Sequence, residues 1–290
     1  MPRCLIAFFS QGGSTARVAE HIGEGLKRAA FQVDFINIKD QPAPDPRAYD
    51  LLGAGSPAYY FRLPFNTTSF LKQLPALNHL PAFAFLTHGT YPGDAGNELR
   101  HRLARKGTRE IGYFRCYGAD FFLGYLKREI LFSPDHPTQE ELGRAEGFGS
   151  LVAGYFDGCA YLAPAADPAP VPIYRLERFL TNRWFATQFY SRLFRVSAKK
   201  CHACGLCHKS CPTRNLEPDQ QGRPKWGRNC LLCLSCEMNC PNEAILSPVS
   251  WQMFQPFLRY NVKKGLQDPQ LERILATHCK GKIRRGQPQS

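Results

Sequence analysis

No long apolar run occurs anywhere in the chain. Across 290 residues nothing approaches the ~18 consecutive apolar residues that span a bilayer, which excludes a transmembrane helix. The opening residues Met1 to Phe9 hold one basic side chain and six consecutive apolar residues, Cys4 to Phe9, short of the roughly 7–15 that form the core of a secretory signal. Polar low-complexity tracts are also missing: 43% hydrophobic and 21% charged residues describe an ordinary folded chain. With no export signal, the expected location is the cytoplasm, and the Asn66-Thr67-Thr68 sequon carries no meaning there. Acidic residues are short as well, with 24 Asp and Glu against 37 Lys and Arg.

Cysteine, by contrast, is abundant and ordered. Eight of the twelve cysteines lie in two copies of one spacing, C-x2-C-x2-C-x3-C-P. The first is Cys201, Cys204, Cys207, Cys211 and Pro212; the second is Cys230, Cys233, Cys236, Cys240 and Pro241. Three thiolates on a tight loop suit three corners of an iron-sulfur cube, and the cysteine before proline suits a neighbouring cube. Zinc or a disulfide framework is the alternative, although zinc usually takes two C-x2-C pairs rather than a triple repeat with proline. The pattern resembles the bacterial two-cluster (2 × 4Fe-4S) ferredoxins at every cysteine position. That resemblance implies that Cys201, Cys204, Cys207 and Cys240 hold one 4Fe-4S cluster, and Cys230, Cys233, Cys236 and Cys211 the other. Cys4, Cys116, Cys159 and Cys279, with His278, have no ligand spacing.

The N-terminal part reads as alternating strand and helix. Cys4 to Phe9 is a short buried strand, and Ala16 to Ala30 repeats apolar residues at Val18, Ala19, Ile22 and Leu26, the period of a helix. Between them lies Ser10-Gln11-Gly12-Gly13-Ser14-Thr15. Small residues, hydroxyls and free amides at a helix start make a ready phosphate site. Further strands are expected at Phe31 to Ile38, Leu51 to Ala54, Ala82 to Leu86 and Ile111 to Tyr117, with helices at Asn97 to Lys106 and Thr138 to Phe156. This alternation implies an α/β fold, a doubly wound parallel sheet of order 2-1-3-4-5.

The loop at Ser10 to Thr15 resembles the phosphate loop of flavodoxins, with Gly12 where a third hydroxyl residue usually stands. The likeness extends over about Met1 to Tyr161 and implies FMN at the carboxyl ends of strands one and three. It further implies that Ser56, Pro57, Ala58, Tyr59 and Tyr60 lie against the flavin ring, with Tyr59 or Tyr60 stacked on it. A second ring-contacting loop would use Thr87, His88, Gly89, Tyr91, Gly93 and Gly96. No proton donor is identified, and no catalytic residue is assigned.

The organisation expected is a flavodoxin-like FMN-binding domain over 1–162, a Pro/Ala linker over 163–172, an aromatic and basic bracing helix over 173–198, and a smaller α+β ferredoxin-like iron-sulfur domain over 199–248. A C-terminal extension, 249–290, ends in a loose basic tail. Between Ile173 and Asn229 twelve basic residues face three acids, Glu177, Glu217 and Asp219. That excess suits an acidic redox partner, or offsets the negative charge of the clusters. Nucleic acid is not expected, a membrane surface is less favoured than the brace, and a homodimer is open. The whole resembles the flavodoxin-ferredoxin fusion proteins of anaerobic prokaryotes. The implied function is electron transfer between the clusters and FMN, joining one- and two-electron steps. The alternatives are an iron-sulfur flavoenzyme that reduces a quinone, conjugated alkene or oxygen beneath the Gly118 to Pro134 excursion, and a redox-sensing or assembly module without FMN.

Overall fold

Strand β1 (Arg3–Phe8) shows why the first half folds as it does, because its side chains feed both faces of one sheet. Cys4, Ile6 and Phe8 point into one buried layer, Leu5 and Ala7 into the other, the period-two alternation of a strand covered on both sides. The structure, a computed structural model, describes residues 1–159, 164, 166–167 and 171–286.

In chain order β1 is followed by α1 (Ser14–Arg28), β2 (Gln32–Asn37), β3 (Leu51–Pro57), α2 (Phe65–Gln73), β4 (Pro81–His88), α3 (Ala95–Ala104) and β5 (Arg109–Tyr117). These five strands pair in parallel in the order β2-β1-β3-β4-β5, as the sequence pattern predicts. After β5 come α4 (Leu123–Leu126) and β6 (Ile130–Phe132), and then α5 (Gln139–Gly154), which starts at a capping box between Thr138 and Glu141. One layer of the core joins β1 to α1 and α5 through Val18, Ile22, Leu142 and Phe148. The other brings in Leu71 and Leu99 from α2 and α3. Helices α1 and α5 cross backbone to backbone, since a Cβ on Gly25 would meet the Glu146 carbonyl and one on Gly149 the Ile22 carbonyl.

The chain divides into two compact units, 1–119 with 135–175, and 120–134 with 176–290. The first is the doubly wound domain. Half of the expected Pro/Ala linker lies outside the described residues, but Asp167 within it is buried in the first unit. Its carboxylate accepts from the Tyr113 hydroxyl at 2.6 Å and the Arg115 guanidinium at 2.5 Å, and its backbone exchanges hydrogen bonds with the Asn97 side chain.

The second unit is smaller in its elements and mixes α and β. It holds α6 (Pro172–Leu180) from Leu176 onward, a π-helical turn at Phe185–Phe189, β7 (Arg195–Val196), α7 (Leu206–Lys209), β8 (Leu216–Pro218), β9 (Pro224–Trp226), α8 (Ser235–Met238) and β10 (Ile245–Leu246). It ends with α9 (Gln255–Gln267), β11 (Arg273–Cys279) and β12 (Lys282–Arg285). The tail expected to be loose from Lys280 therefore includes a strand, while residues 287–290 lie outside the described residues.

The Gly118 to Pro134 excursion also has a different home from the one the pattern suggests. From Asp120 on it folds with the second unit, where β6 pairs antiparallel with β11. Its apolar residues Leu123, Leu126, Leu131 and Phe132 are buried there, which is the physical reason it does not stand as an open flap.

Candidate functional sites

In the first unit, β1 ends and α1 begins across Ser10 to Gly13. Gly13 sits at φ 92° as the N-cap and has no side chain to bond the helix, and no acid lies in the first turn. A Cβ on Gly13 would meet nothing within 4 Å, so the space before the helix is open. The 15-residue helix directs its free amides and positive dipole end into that space. The loop is fastened from behind: the Ser10 amide donates to Asn37 Oδ1 at 3.2 Å, and Asn37 Nδ2 donates to the Ser10 carbonyl at 3.0 Å.

The hydroxyls divide their work. Ser10 Oγ accepts the Ala16 amide at 3.2 Å, which leaves its own proton for an anion. Thr15 Oγ1 pairs with Thr87 Oγ1 at 2.8 Å and so ties the loop to the end of β4. Ser14 lies beneath the backbone after β5, since a Cβ on Gly118 would come 2.9 Å from Ser14 Cβ. An open helix end with its positive dipole, small residues and no acid in the first turn fits a phosphate monoester.

The next two loops are knit together. Ser56, at the end of β3, is fully buried, and its hydroxyl lies 3.2 Å from Thr67 Oγ1; after Pro57, the Ala58 amide donates to the Thr87 carbonyl at 2.8 Å. Tyr59 and Arg62 close a tight turn whose central residues, Tyr60 at φ 49° and Phe61 at φ 59°, are both left-handed. Two non-glycine residues in that region mark stored backbone strain. Tyr59 packs edge-on against Phe9 at 6.0 Å, and Tyr60 takes the first corner of the turn. Gly93 packs on the Phe61 backbone, whose carbonyl accepts the Asp94 amide.

His88 is buried, with Nδ1 3.2 Å from the Thr90 carbonyl and its ring 4.6 Å from that of Tyr117. Burial, with the Arg115 charge second, pushes its pKa down to about 3. It is therefore a neutral imidazole at ordinary pH. Gly89 follows it and is half-buried. Gly96 stands apart from the loops, because it makes room in α3 for the Tyr113 hydroxyl and Asp167. Tyr174, assigned by sequence to the bracing helix, belongs to the first unit and stacks on Phe61 at 3.9 Å and 15°. Tyr91 lies beside it at 6.1 Å.

The second unit gathers the eight cysteines into two cavities. One is lined by Cys201, Cys204, Cys207 and Cys240. The other is lined by Cys211, Cys230, Cys233 and Cys236. Each cavity thus takes three cysteines from one motif and the fourth from the other.

The two motifs also repeat one backbone trace. Ala203 and Gly205 are left-handed in the first, Leu232 and Leu234 at the same offsets in the second, and Arg214 and Glu243 each lie three residues after the last cysteine. Short helices α7 and α8 begin at the residue before Cys207 and Cys236. Amides then point at sulfur: Asn215 N to Cys211 Sγ at 3.3 Å, Ala244 N to Cys240 Sγ at 3.2 Å and Leu232 N to Cys230 Sγ at 3.4 Å. Such donors favour thiolate over thiol and tune a bound metal group.

Burial alone works against thiolate, raising Cys207 to about 11 and Cys230 and Cys233 to about 12. Thiolates there need a polycation to offset the desolvation. Four sulfurs drawn from two motifs would suit a multi-iron group. Phe194 stacks on Trp226 at 4.8 Å beside the second cavity.

Residues that sequence reading passes over brace this region. Glu237, buried between Cys236 and Cys240, accepts from Lys127 Nζ at 2.5 Å and from the Ser247 amide at 2.8 Å. Lys127 also reaches Ser250 Oγ at 2.7 Å. His278 Nε2 lies 2.7 Å from the Met238 carbonyl, and the Lys280 amide donates to Glu243 at 3.0 Å. No local signal in the sequence announces these long-range pairs.

The topology, the open phosphate-type loop and the knit loops at the carboxyl ends of β3 and β4 define the first unit as a flavodoxin-like α/β domain. Residues 5–126 match the family model described as the flavodoxin domain. Among solved structures the chain is similar to a flavodoxin from the domain Archaea, 18% identical over 53% of this chain and 99% of the other, with a TM-score of 0.43. It is also similar to oxidised flavodoxin 1 of Bacillus cereus, 16% identical over 53% and 98%, TM-score 0.41. A third is rubredoxin oxygen:oxidoreductase from the anaerobe Desulfovibrio gigas, 14% identical over 54% of this chain and 36% of that one, TM-score 0.42. Comparison with curated proteins gives no match.

Proposed function

We propose that the protein is an electron-transfer iron-sulfur flavoprotein that holds FMN in its first unit and two 4Fe-4S clusters in its second. The observation that carries this reading is the crossing of the cysteines: two cavities, each lined by three cysteines of one motif and one of the other. A zinc ribbon or a disulfide framework would not call for that exchange.

Bound together, the groups would supply one-electron exchange at the clusters and one- or two-electron exchange at the flavin. The chain's own residues do the rest. The α1 N-terminus and the Ser10 hydroxyl hold the phosphate, and Asn37 fixes the loop that presents them. The strained turn at Tyr60 and Phe61 and the Thr87 to Gly93 loop shape the ring site, while neutral His88 adds no charge to it. In the second unit the backbone amides of Leu232, Asn215 and Ala244 hold thiolate sulfurs in place. One polypeptide keeps both redox groups at high effective concentration, so exchange between them need not wait for diffusion.

Anaerobic purification tests the reading directly. The expected result is about eight irons, about eight acid-labile sulfides and about one FMN per chain, with cluster and flavin absorbance both bleached by dithionite. A preparation that holds zinc with no iron, after reconstitution with iron and sulfide, would overturn it.

A further inference from the structure

The aromatic and basic segment 173–198 is more than an internal brace. Its inward face is occupied: Tyr190 is buried and meets Phe254 at 5.2 Å and Phe185 at 6.2 Å, and Glu177 accepts from Asn261 Nδ2 at 3.0 Å. Its outward face is not polar. Phe179 and Trp184 are 62% and 63% exposed, Leu176 is 50% exposed and Phe189 43%. These side chains are joined, since Phe179 and Trp184 both pack on Phe185, at 5.9 and 5.0 Å, and Phe185 and Phe189 both pack on Tyr190. A contiguous exposed aromatic patch differs from the isolated apolar residues that any surface carries.

Charge decides what the patch suits. Within 173–198 the sole acid is Glu177, and it is turned inward onto Asn261, while burial raises its pKa. Arg183, Arg192 and Arg195 are all exposed. The face therefore offers Trp, Phe and Leu beside guanidinium groups, the composition that settles at the boundary of an anionic bilayer, with rings among the acyl chains and cations among the phosphates. No helix among the described residues is long and apolar enough to cross a membrane, so the segment would lie on a bilayer, not span it.

We propose that this face, Leu176, Phe179, Trp184 and Phe189 with Arg183 and Arg192, docks the protein on the surface of an anionic lipid membrane. The proposal rests on exposure and charge alone and stands whether or not the cavities hold clusters. It reverses the preference of the sequence pattern, in which bracing and membrane contact compete; here opposite faces serve the two roles.

The test is vesicle flotation of the full-length protein, purified anaerobically, with phosphatidylcholine vesicles containing about 30% phosphatidylglycerol and with pure phosphatidylcholine vesicles. Binding to the anionic vesicles is expected, weakening by about tenfold or more between low salt and 0.5 M salt. Phe179→Ser with Trp184→Ser should reduce that binding on the order of tenfold, as should Arg183→Gln with Arg192→Gln. All four positions are exposed, and unchanged visible absorbance and circular dichroism would show that the variants fold. Trp184 fluorescence, isolated by difference against Trp184→Phe, should be quenched by brominated lipid in the vesicles. Equal flotation of wild type and variants, or no flotation at all, would overturn the proposal. So would light scattering that shows a dimer which the aromatic substitutions dissociate, because the face would then be covered by a second copy.

Discussion

The two units solve the problem of an interior in opposite ways. The first builds its interior from carbon: β1 alone sends Cys4, Ile6 and Phe8 to one layer and Leu5 and Ala7 to the other, and four helices cover the sheet. Between residues 199 and 248 the buried apolar side chains are Leu216, Leu231, Leu232, Leu234, Ala244 and Ile245, with Cys207, Cys236 and Cys240. What stands at the centre there is a pair of cavities lined by sulfur. Interiors are normally packed as densely as organic crystals. A segment whose centre is lined by eight cysteines, with few large apolar side chains, is one that the bound groups proposed above would complete. The left-handed backbone at Ala203, Arg214, Leu232, Leu234 and Glu243 points the same way, since non-glycine residues hold such conformations only when their surroundings over-determine them.

The sharpest way to break this contrast is to remove the iron proposed for the second unit. Chelation under oxidising conditions should collapse protection from hydrogen exchange across 199–248 by orders of magnitude while β1 to β5 keep theirs. Uniform protection in both units after iron loss would erase the distinction. Next in size, Cys240→Ser should lower the iron content by about half or more, because its sulfur closes the cavity of the other motif. Cys116→Ser, within the sheet domain, should leave the iron count unchanged.

The first unit has its own pH signature. His88 has a folded pKa of about 3 and an ordinary unfolded one, so the unfolded chain binds the extra proton between those values. Stability of the first unit should therefore be full above the unfolded pKa and fall as pH drops toward 3, by at most about 1.4 kcal/mol per pH unit. His88→Gln should flatten that slope in denaturant titrations followed by flavodoxin-domain signals. Lys127→Met probes the second unit instead: it leaves the buried Glu237 carboxylate short of its cation and should cost about 1–3 kcal/mol. The loss should appear in hydrogen exchange of α8 and not of β4. The smallest effect is expected at Gly13→Ala, where the left-handed φ strains an alanine by about 1 kcal/mol. It should weaken FMN binding to the apoprotein by several-fold while melting temperature moves little.

What could be read from the sequence follows the same division between local and distant. The parallel order came from alternating periods of two and 3.6 in the chain, a local signal that Val18, Ile22 and Leu26 carry openly. The cysteine spacing is again local, the partition between two clusters is what the ferredoxin resemblance implies, and the cavities group the same eight residues. Helix α2 escaped notice because Phe65–Gln73 is short and only Thr67 and Leu71 of it are buried. Asp167 sat unremarked in an Ala/Pro-rich connection, and only the fold brings Arg115 and Tyr113 to its carboxylate. His88, in a glycine-rich loop, carries no local sign of burial; its ring packs beside Tyr117, at the end of the neighbouring strand. Side chains and strands that pair across more than a hundred residues, such as Lys127 with Glu237 or β6 with β11, leave no periodic trace at either end.

That last pairing has a consequence for how the molecule is made. Ile130 finds Leu275 across roughly 140 residues, so β6 leaves the ribosome long before its partner strand exists. At about 5–20 residues per second the wait is roughly 7–30 seconds. During it Leu131 and Phe132, fully buried in the finished protein, have no partner strand to cover them while the sheet around them can already form. A gene fragment cut after the first domain would make that interval permanent and would present a sticky, half-dressed insertion in place of a clean flavodoxin.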